Sequence, residues 1–135
     1  MEKYVIIHSH GSSYGLYDDA VPQKAIFTTD DIHKLERNRK IKCVIIIACS
    51  TAGSTKDGSD NFACALSRMI NKKGVVVGGR VKIGGYSSFF RPTDDFSYMD
   101  YPWIIYRNGR YLDGKLPKTI TMKIVYDYLV KHNYI

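Results

Sequence analysis

Two side chains that could perform nucleophilic and acid–base chemistry stand at the ends of short apolar segments. His10 closes the segment 4–10, and Cys49 closes the segment 44–49. A thiol reacts as its thiolate, and an imidazole with a near-neutral pKa is well suited to take the thiol proton. His10 and Cys49 are therefore a candidate catalytic dyad. Taken singly, each has an ordinary alternative, since strand-end cysteines are often core residues and strand-end histidines often rim residues.

The segments that carry these residues have the composition of buried strands. Runs 4–8, 43–48 and 74–77 are short, apolar and rich in β-branched residues, which is typical of parallel strands covered on both faces. Right-handed crossovers bring the carboxyl ends of such strands to one edge, where ligand crevices form. We therefore predict that His10 and Cys49 face one cleft. The small residues that follow them leave backbone N–H groups free to stabilise an oxyanion.

The remaining patterns predict three helices, two loops and a hairpin. The first helix is predicted over 28–39, and segments 12–25 and 84–101 are predicted loops. Asn108-Gly109 is the strongest signal for a type I′ hairpin turn. The second helix is predicted to be capped by Ser59 or Asp60 and to bury Phe62, Leu66, Met69 and Ile70. The third is predicted to be capped by Thr119 and to bury Ile120, Ile124, Val125, Tyr128 and Leu129.

At these residues the chain resembles the clan CD cysteine peptidases, the group that contains caspases, legumains, gingipains, separases and the self-processing protease domains of large bacterial toxins. The resemblance rests on YVIIHSHG and VIIIACSTAGS, two apolar strands that end in His-Gly and Ala-Cys in that order. The segment DNFACALSRMINKKGVVVGG is also similar to the helix and strand that follow the nucleophile in toxin-associated members. The similarity covers roughly residues 3–79.

The resemblance implies a cysteine endopeptidase that works through an acyl-enzyme. In that interpretation Cys49 is the nucleophile, His10 the general base and acid, and the N–H groups of Gly11 and Cys49 form the oxyanion hole. His8 does not match the motif. The expected fold is an α/β, three-layer caspase-like sandwich in a single domain, residues 1–135. It would have a mainly parallel central sheet, helices on both faces and the hairpin at one edge. No metal and no cofactor are expected.

Specificity is less well determined, because the chain is short for the family and lacks an obvious second subunit or long insertion. The substrate-binding candidates are Ser12, Ser50, Gly78, Asp94 and Asp95. Asp94 and Asp95 lie among aromatic residues in the long loop 84–101, and such loops are often functional. They could line a pocket for a basic side chain, although an ordinary surface loop explains them equally well. A protein or peptide is the expected substrate.

Composition limits the remaining possibilities. The 135 residues carry a net charge of +7, and the three cysteines include no C-x-x-C pair. An odd set of cysteines favours a reducing, cytoplasmic location, and the chain could also belong to a larger effector. No signal peptide or membrane-spanning run is apparent. The basic stretch 34–42 is interpreted as a solvated helix end, so nucleic acid is not favoured as a partner. The oligomeric state is left open.

Two functions of other classes remain as alternatives. A caspase-like fold can serve as an inactive interaction module, because fold does not determine function. The positive charge also allows a basic nucleic-acid-binding domain, whose binding would depend steeply on salt and not on the thiol. A cysteine-phosphatase cradle is excluded, since Thr55 stands where that cradle needs arginine.

Overall fold

The computed structural model describes residues 3–48, 50–54, 60–79, 83–84, 96–98, 103–117 and 119–135. The strands within them are β1 (Lys3–His8), β2 (His10–Ser12), β3 (Gly15–Tyr17), β4 (Ala25–Thr28), β5 (Ile41–Ile47), β6 (Val75–Gly79), β7 (Ile83–Gly84), β8 (Phe96–Tyr98), β9 (Trp103–Arg107), β10 (Arg110–Asp113) and β11 (Thr119–Ile120). The helices are α1 (Thr29–His33), α2 (Phe62–Ser67) and α3 (Met122–Lys131).

The main sheet has five strands in the order β1-β5-β6-β9-β10. Strands β1, β5 and β6 are parallel, as the three apolar runs predicted. Strand β9 is antiparallel to β6, and β10 is antiparallel to β9. The hairpin lies at the sheet edge, with positive φ at Asn108 and Gly109 as a type I′ turn requires.

The predicted three-layer caspase-like sandwich is wrong. The sheet is mixed and not mainly parallel, because the hairpin supplies two of its five strands. The three helices have 5, 6 and 10 residues and do not form a helical layer on each face. Much of the sequence between β1 and β5 forms a small antiparallel sheet. This sheet has the order β2-β3-β4, so the predicted loop 12–25 contains strand β3.

The helices are shorter than their patterns predicted, and two begin at other residues. Thr28 caps α1 as predicted, but the helix ends at His33 and not near residue 39. Asn61 caps α2, and Thr121 caps α3. Beyond α1 and α2, the backbone N–H of Asn38 donates to the carbonyl of Met69 at 2.8 Å. This pairing between the two connecting segments replaces the helical turns that the apolar spacing predicted.

The alternation of β5 separates the core into two clusters. Cys43, Ile45 and Ile47 pack in one cluster with Trp103, Leu116, Val125 and Leu129. Val44, Ile46 and Ala48 pack in the other with Ile32, Phe62, Ala63 and Ile104. The sequence placed Ile124 in the core, but its side chain is 38% exposed. In the part of the chain that the structure describes, no helix has the length and apolar character needed to cross a membrane.

Candidate functional site

The site begins where β1 ends and the chain leaves the main sheet. His8 is the last residue of β1 and lies opposite Ile47, the last residue of β5. The N–H of Ser9 donates to the carbonyl of Ile47 at 3.2 Å, and the Ser9 hydroxyl lies 3.0 Å from the carbonyl of Tyr17. These two bonds turn the chain from β1 into β2, whose first residue is His10. The carboxyl ends of β1 and β5 therefore meet beside His10.

His10 is paired with a carboxylate. Its Nε2 lies 2.5 Å from Oδ1 of Asp19, with the side chains 42% and 93% exposed respectively. A neutral imidazole carries one N–H and one lone pair. When Nε2–H of His10 donates to the carboxylate, the other ring nitrogen, Nδ1, carries the lone pair. Asp19 therefore fixes the ring in the form in which Nδ1 can accept a proton.

The loop that carries Asp19 is closed by its neighbour. Oδ1 of Asp18 accepts hydrogen bonds from the N–H groups of Ala20, at 3.1 Å, and Lys24, at 2.8 Å. The N–H of Asp18 also donates to the carbonyl of Lys24 at 3.0 Å. Sequence reasoning missed Asp19, since it interpreted 12–25 as a rim loop. The available signal was the Asp-Asp pair, in which one carboxylate forms an Asx-type turn and the other is left to point elsewhere.

His8 belongs to the same electrostatic environment. Partial burial lowers its pKa, the nearby charge of Asp19 raises it, and His10 lowers it further, so that the net pKa is below the usual value. His8 is therefore neutral near pH 7. Among the three groups, Asp19 is the fixed negative charge, and both imidazoles lie within its reach.

Cys49 lies outside the described residues, as do Asp94 and Asp95, so their predicted roles stay predictions. Both chain neighbours of Cys49 are described. Ala48 is fully buried directly after β5, and Ser50 has φ 57°, in the left-handed region that non-glycine residues seldom adopt. The carbonyl of Ser50 accepts the N–H of Gly53 at 2.8 Å. A tight turn with an unusual backbone angle is a feature that recurs at functional sites.

The turn 50–54 is held by buried contacts on two sides. The N–H of Ala52 donates to the carbonyl of Gly79, and the carbonyl of Thr51 accepts from Ala63, each at 2.9 Å. A Cβ on Gly78 would lie 2.9 Å from Oγ1 of Thr51. Gly78, predicted to bind substrate, thus acts in packing the turn against β6. Oγ1 of Thr51 is buried and has no hydrogen-bond partner among the described residues.

The other predicted site residues lie in strand β2. Gly11 is opposite Leu16 of β3 in the antiparallel pair. The hydroxyl of Ser12 lies 3.0 Å from that of Tyr17 and accepts the N–H of Tyr14 at 3.1 Å. The side chain of Ser12 therefore braces the turn between β2 and β3. Its predicted role in substrate binding remains a prediction.

A cavity of about 200 Å³ lies directly beside the turn 50–54. Its lining is neutral and partly polar, and consists of Ala52, Gly53, Ser54, Asn61, Ile104, Tyr106 and Tyr111. Nδ2 of Asn61 donates to the hydroxyl of Tyr106 at 3.0 Å. These described residues can accept an uncharged side chain of moderate size. Asp94 and Asp95, which the sequence proposed for a basic side chain, lie outside the described residues.

Comparisons with known proteins find no relative. No family model matches the chain, and no curated protein or solved structure does. The resemblance to clan CD peptidases therefore rests on the quoted strand-end motifs and their residues. Within the described ranges, no group of three or more His, Cys, Asp or Glu side chains is arranged to hold a metal.

The two described cysteines are unsuited to nucleophilic chemistry. Burial raises the pKa of the Cys43 thiol to about 12, and burial also raises that of Cys64. Sγ of Cys64 lies 3.3 Å from the carbonyl of Gly109, to which it donates. Both thiols are free and buried. Neither supplies a thiolate near neutral pH.

Proposed function

We propose that this protein is a cysteine endopeptidase in which Cys49 is the nucleophile and His10 moves the proton. The observation that carries the proposal is the 2.5 Å contact between His10 Nε2 and Asp19 Oδ1, located where β1 and β5 end. A histidine oriented by a carboxylate is the base that activates a neighbouring thiol or hydroxyl in many enzymes. Cys49 follows β5 by two residues in the sequence.

The proposed reaction proceeds by acyl transfer. Nδ1 of His10 takes the thiol proton, and the thiolate adds to the carbonyl carbon of the scissile peptide bond. The N–H groups of Gly11 and Cys49 are the proposed donors to the oxyanion. When the tetrahedral intermediate collapses, the imidazolium gives its proton to the departing amine. Water, deprotonated by His10, then hydrolyses the thioester, which releases the acid and regenerates the thiol.

The chemistry of the other cysteines supports Cys49 as the reacting thiol. The raised pKa values of Cys43 and Cys64 leave each of them protonated at neutral pH. A peptidase that depends on a free thiolate requires reducing conditions, which agrees with the free state of these two thiols. We therefore propose a reducing compartment as the working environment.

The cavity beside the turn 50–54 supports a specificity for uncharged side chains. Its polar groups come from Ser54, Asn61 and the tyrosines, and none of the described residues that line it carries a charge. A basic preference through Asp94 and Asp95 remains the competing prediction. A peptide library that varies the residue before the cleaved bond would separate the two, since only the second requires Lys or Arg there.

A library cleavage profile also tests the function itself. The wild-type protein should cleave a subset of peptides, and Cys49→Ala should cleave none. Cys64→Ala is the matched control, because it removes a buried thiol and should retain the wild-type cleavage pattern if the protein folds. Absence of cleavage by folded wild-type protein, or equal cleavage by Cys49→Ala, would reject the proposal and favour the inactive interaction module.

A further inference from the structure

Two loops at the amino-terminal end of the parallel strands form a strongly cationic cavity, which we call the cationic groove. It has a volume of about 520 Å³ and is lined by Arg37, Arg39, Lys42, Asn71, Lys72 and Lys73. Five of these six side chains carry positive charge, and none is acidic. They come from the segment before β5, from the start of β5 itself, where Lys42 lies, and from the segment before β6. The sequence pattern does not predict this grouping, because the fold alone brings Lys72 and Lys73 beside the first loop.

Three cations of the cationic groove have no carboxylate partner in the part of the chain that the structure describes. Among the described residues, no carboxylate pairs with Arg39, Lys72 or Lys73. Arg37 makes its hydrogen bonds to neutral groups, with Nη1 at 2.9 Å from the carbonyl of Ile70 and Nη2 at 2.9 Å from Oδ1 of Asn108. Like charges held together repel each other, and a bound anion would relieve that repulsion.

The two loops are joined by backbone hydrogen bonds, so the cations are held near one another. The N–H of Asn71 donates to the carbonyl of Ile41 at 2.9 Å. Nδ2 of Asn71 donates to the carbonyl of Arg39, also at 2.9 Å. The pairing of Asn38 with Met69 and Ile70 adds a third connection. A cation cluster whose backbone is fixed before binding loses less entropy when it orders around an anion.

The cationic groove continues into a second cavity that contains aromatic rings. This cavity has a volume of about 290 Å³, shares Lys42 and Lys73 with the first, and adds Tyr4, Arg107 and Tyr134 together with Asn133 and Ile135. The Tyr4 side chain on the edge strand β1 is 55% exposed. Positive charge beside an exposed aromatic ring is the combination that binds the phosphates and bases of single strands.

We propose that the cationic groove binds single-stranded nucleic acid, with backbone phosphates against Arg39, Lys72 and Lys73 and a base stacked on Tyr4. None of the residues that line either cavity belongs to a helix. The surface therefore presents no helix to a duplex major groove, which favours the single strand. This inference is independent of the peptidase proposal, because it uses the opposite end of β1 and requires no thiol.

Fluorescence anisotropy with a labelled 12-nucleotide single strand tests the inference on the full chain. Affinity should fall with salt by a slope of about 0.7 per neutralised phosphate on a double-logarithmic plot. The double variant Lys72→Glu/Lys73→Glu should weaken binding at least about tenfold and reduce the salt slope. Tyr4→Ala should weaken it about fivefold or more, the amount expected for loss of one stacked base.

The matched control is Lys24→Glu/Lys115→Glu, which changes net charge equally at exposed positions that line neither cavity. It should weaken binding much less than the groove variant. Equal loss in both double variants would overturn the proposal, because net charge alone would then explain binding. Duplex binding as tight as that of the single strand, with no effect of Tyr4→Ala, would also overturn it. Displacement of the strand by tripolyphosphate at equal phosphate concentration would contradict the role of the base.

Discussion

The two ends of strand β1 place charged groups in opposite ways. At its carboxyl end, His8 and His10 lie near the carboxylate of Asp19, which pairs directly with His10. At its amino end, Tyr4 adjoins a surface whose cations Arg39, Lys72 and Lys73 have no carboxylate partner among the described residues. The six-residue strand separates the two ends by roughly 20 Å.

This difference distinguishes two kinds of chemistry on one sheet. A neutral imidazole oriented by a carboxylate can exchange a proton and return to its starting state, as a catalytic base must. A cluster of cations attracts negative charge, so the amino end is suited to holding an anion. The supporting loops differ as well. At the carboxyl end the Asp18 side chain accepts two N–H groups of a single loop, whereas at the amino end the bonds from Asn38 and Asn71 join two separate segments.

The largest expected effect concerns the two histidines at the carboxyl end. His10→Ala should lower the turnover of a cleaved peptide by about 10²- to 10⁴-fold, the usual contribution of a general base. His8→Ala should change turnover little, since His8 is not the residue paired with Asp19. Steady-state kinetics on the two folded variants makes the comparison. An inactive His8→Ala protein beside a fully active His10→Ala protein would show that the motif is misaligned.

A smaller effect is expected at Asp19, because its side chain is almost fully exposed. Exposed ion pairs contribute about 0.2–1 kcal/mol, so Asp19→Asn should lower kcat by about 1.4- to fivefold and leave KM nearly unchanged. The exposed Asp30→Asn variant is the control and should retain the wild-type rate and pH profile. An Asp19→Asn protein with unchanged kcat across the pH range would remove Asp19 from the account of the site.

A third prediction concerns Asp113, which accepts hydrogen bonds from two tyrosine hydroxyls. One of these residues, Tyr134, lines the second cavity near the amino end of β1. Oδ2 of Asp113 accepts the hydroxyls of Tyr128 and Tyr134, each at 2.8 Å, and its Oδ1 accepts the N–H of Lys115 at 2.6 Å. Burial by itself raises the pKa of this carboxyl. The three hydrogen bonds and the electrostatic effect of His132 together more than offset that, and the net pKa is below the usual value. Asp113→Asn should therefore destabilise the fold by about 1–3 kcal/mol at pH 7.

The pH dependence of that loss follows from the lowered pKa. The folded state holds the Asp113 carboxylate charged at pH values where the unfolded chain protonates it, so its contribution falls as pH drops below about 3.9. At pH 7, denaturant unfolding should give the wild-type protein a larger free energy of unfolding than the Asp113→Asn protein. This difference should become smaller near pH 3. The exposed Asp127→Asn variant is the control. A difference in unfolding free energy that stays constant between pH 7 and pH 3 would contradict the stabilising role given to the Asp113 carboxylate.

Local patterns predicted the strands of the main sheet better than its architecture. Short apolar runs rich in β-branched residues favour strands, so β1, β5 and β6 were predictable from composition. The predicted cover on both faces is wrong for β1, which lies at the sheet edge and leaves Tyr4 and Ile6 exposed. The mixed architecture of the sheet could not be predicted from composition, because the pairing of β6 with β9 depends on a contact between segments that are distant in the sequence. The helix patterns were misleading for the same reason. Ile70 is buried as predicted, but its backbone forms an isolated β-bridge with Asn38 and is not part of a helix.

The candidate site was predictable only where its residues stand at strand ends. His10 could be selected because it follows an apolar run and precedes glycine. Asp19 could not be selected in this way, since it lies nine positions after His10 in the sequence. Only the closed loop 18–24 brings the two together. The packing role of Gly78 could not be predicted either, because the close approach of Thr51 that requires a glycine there is a tertiary contact, and its role in substrate binding stays a prediction.

Labelling of the thiols tests most directly whether His10 activates Cys49. The protein is treated with a small excess of iodoacetamide between pH 5 and 9, and alkylation of each cysteine is followed by mass spectrometry. We expect Cys49 to be alkylated far faster than Cys43 and Cys64 near pH 7. His10→Ala should slow the alkylation of Cys49, and His8→Ala should not. A Cys49 that reacts at the same rate in folded wild-type and His10→Ala proteins over the whole pH range would contradict this expectation.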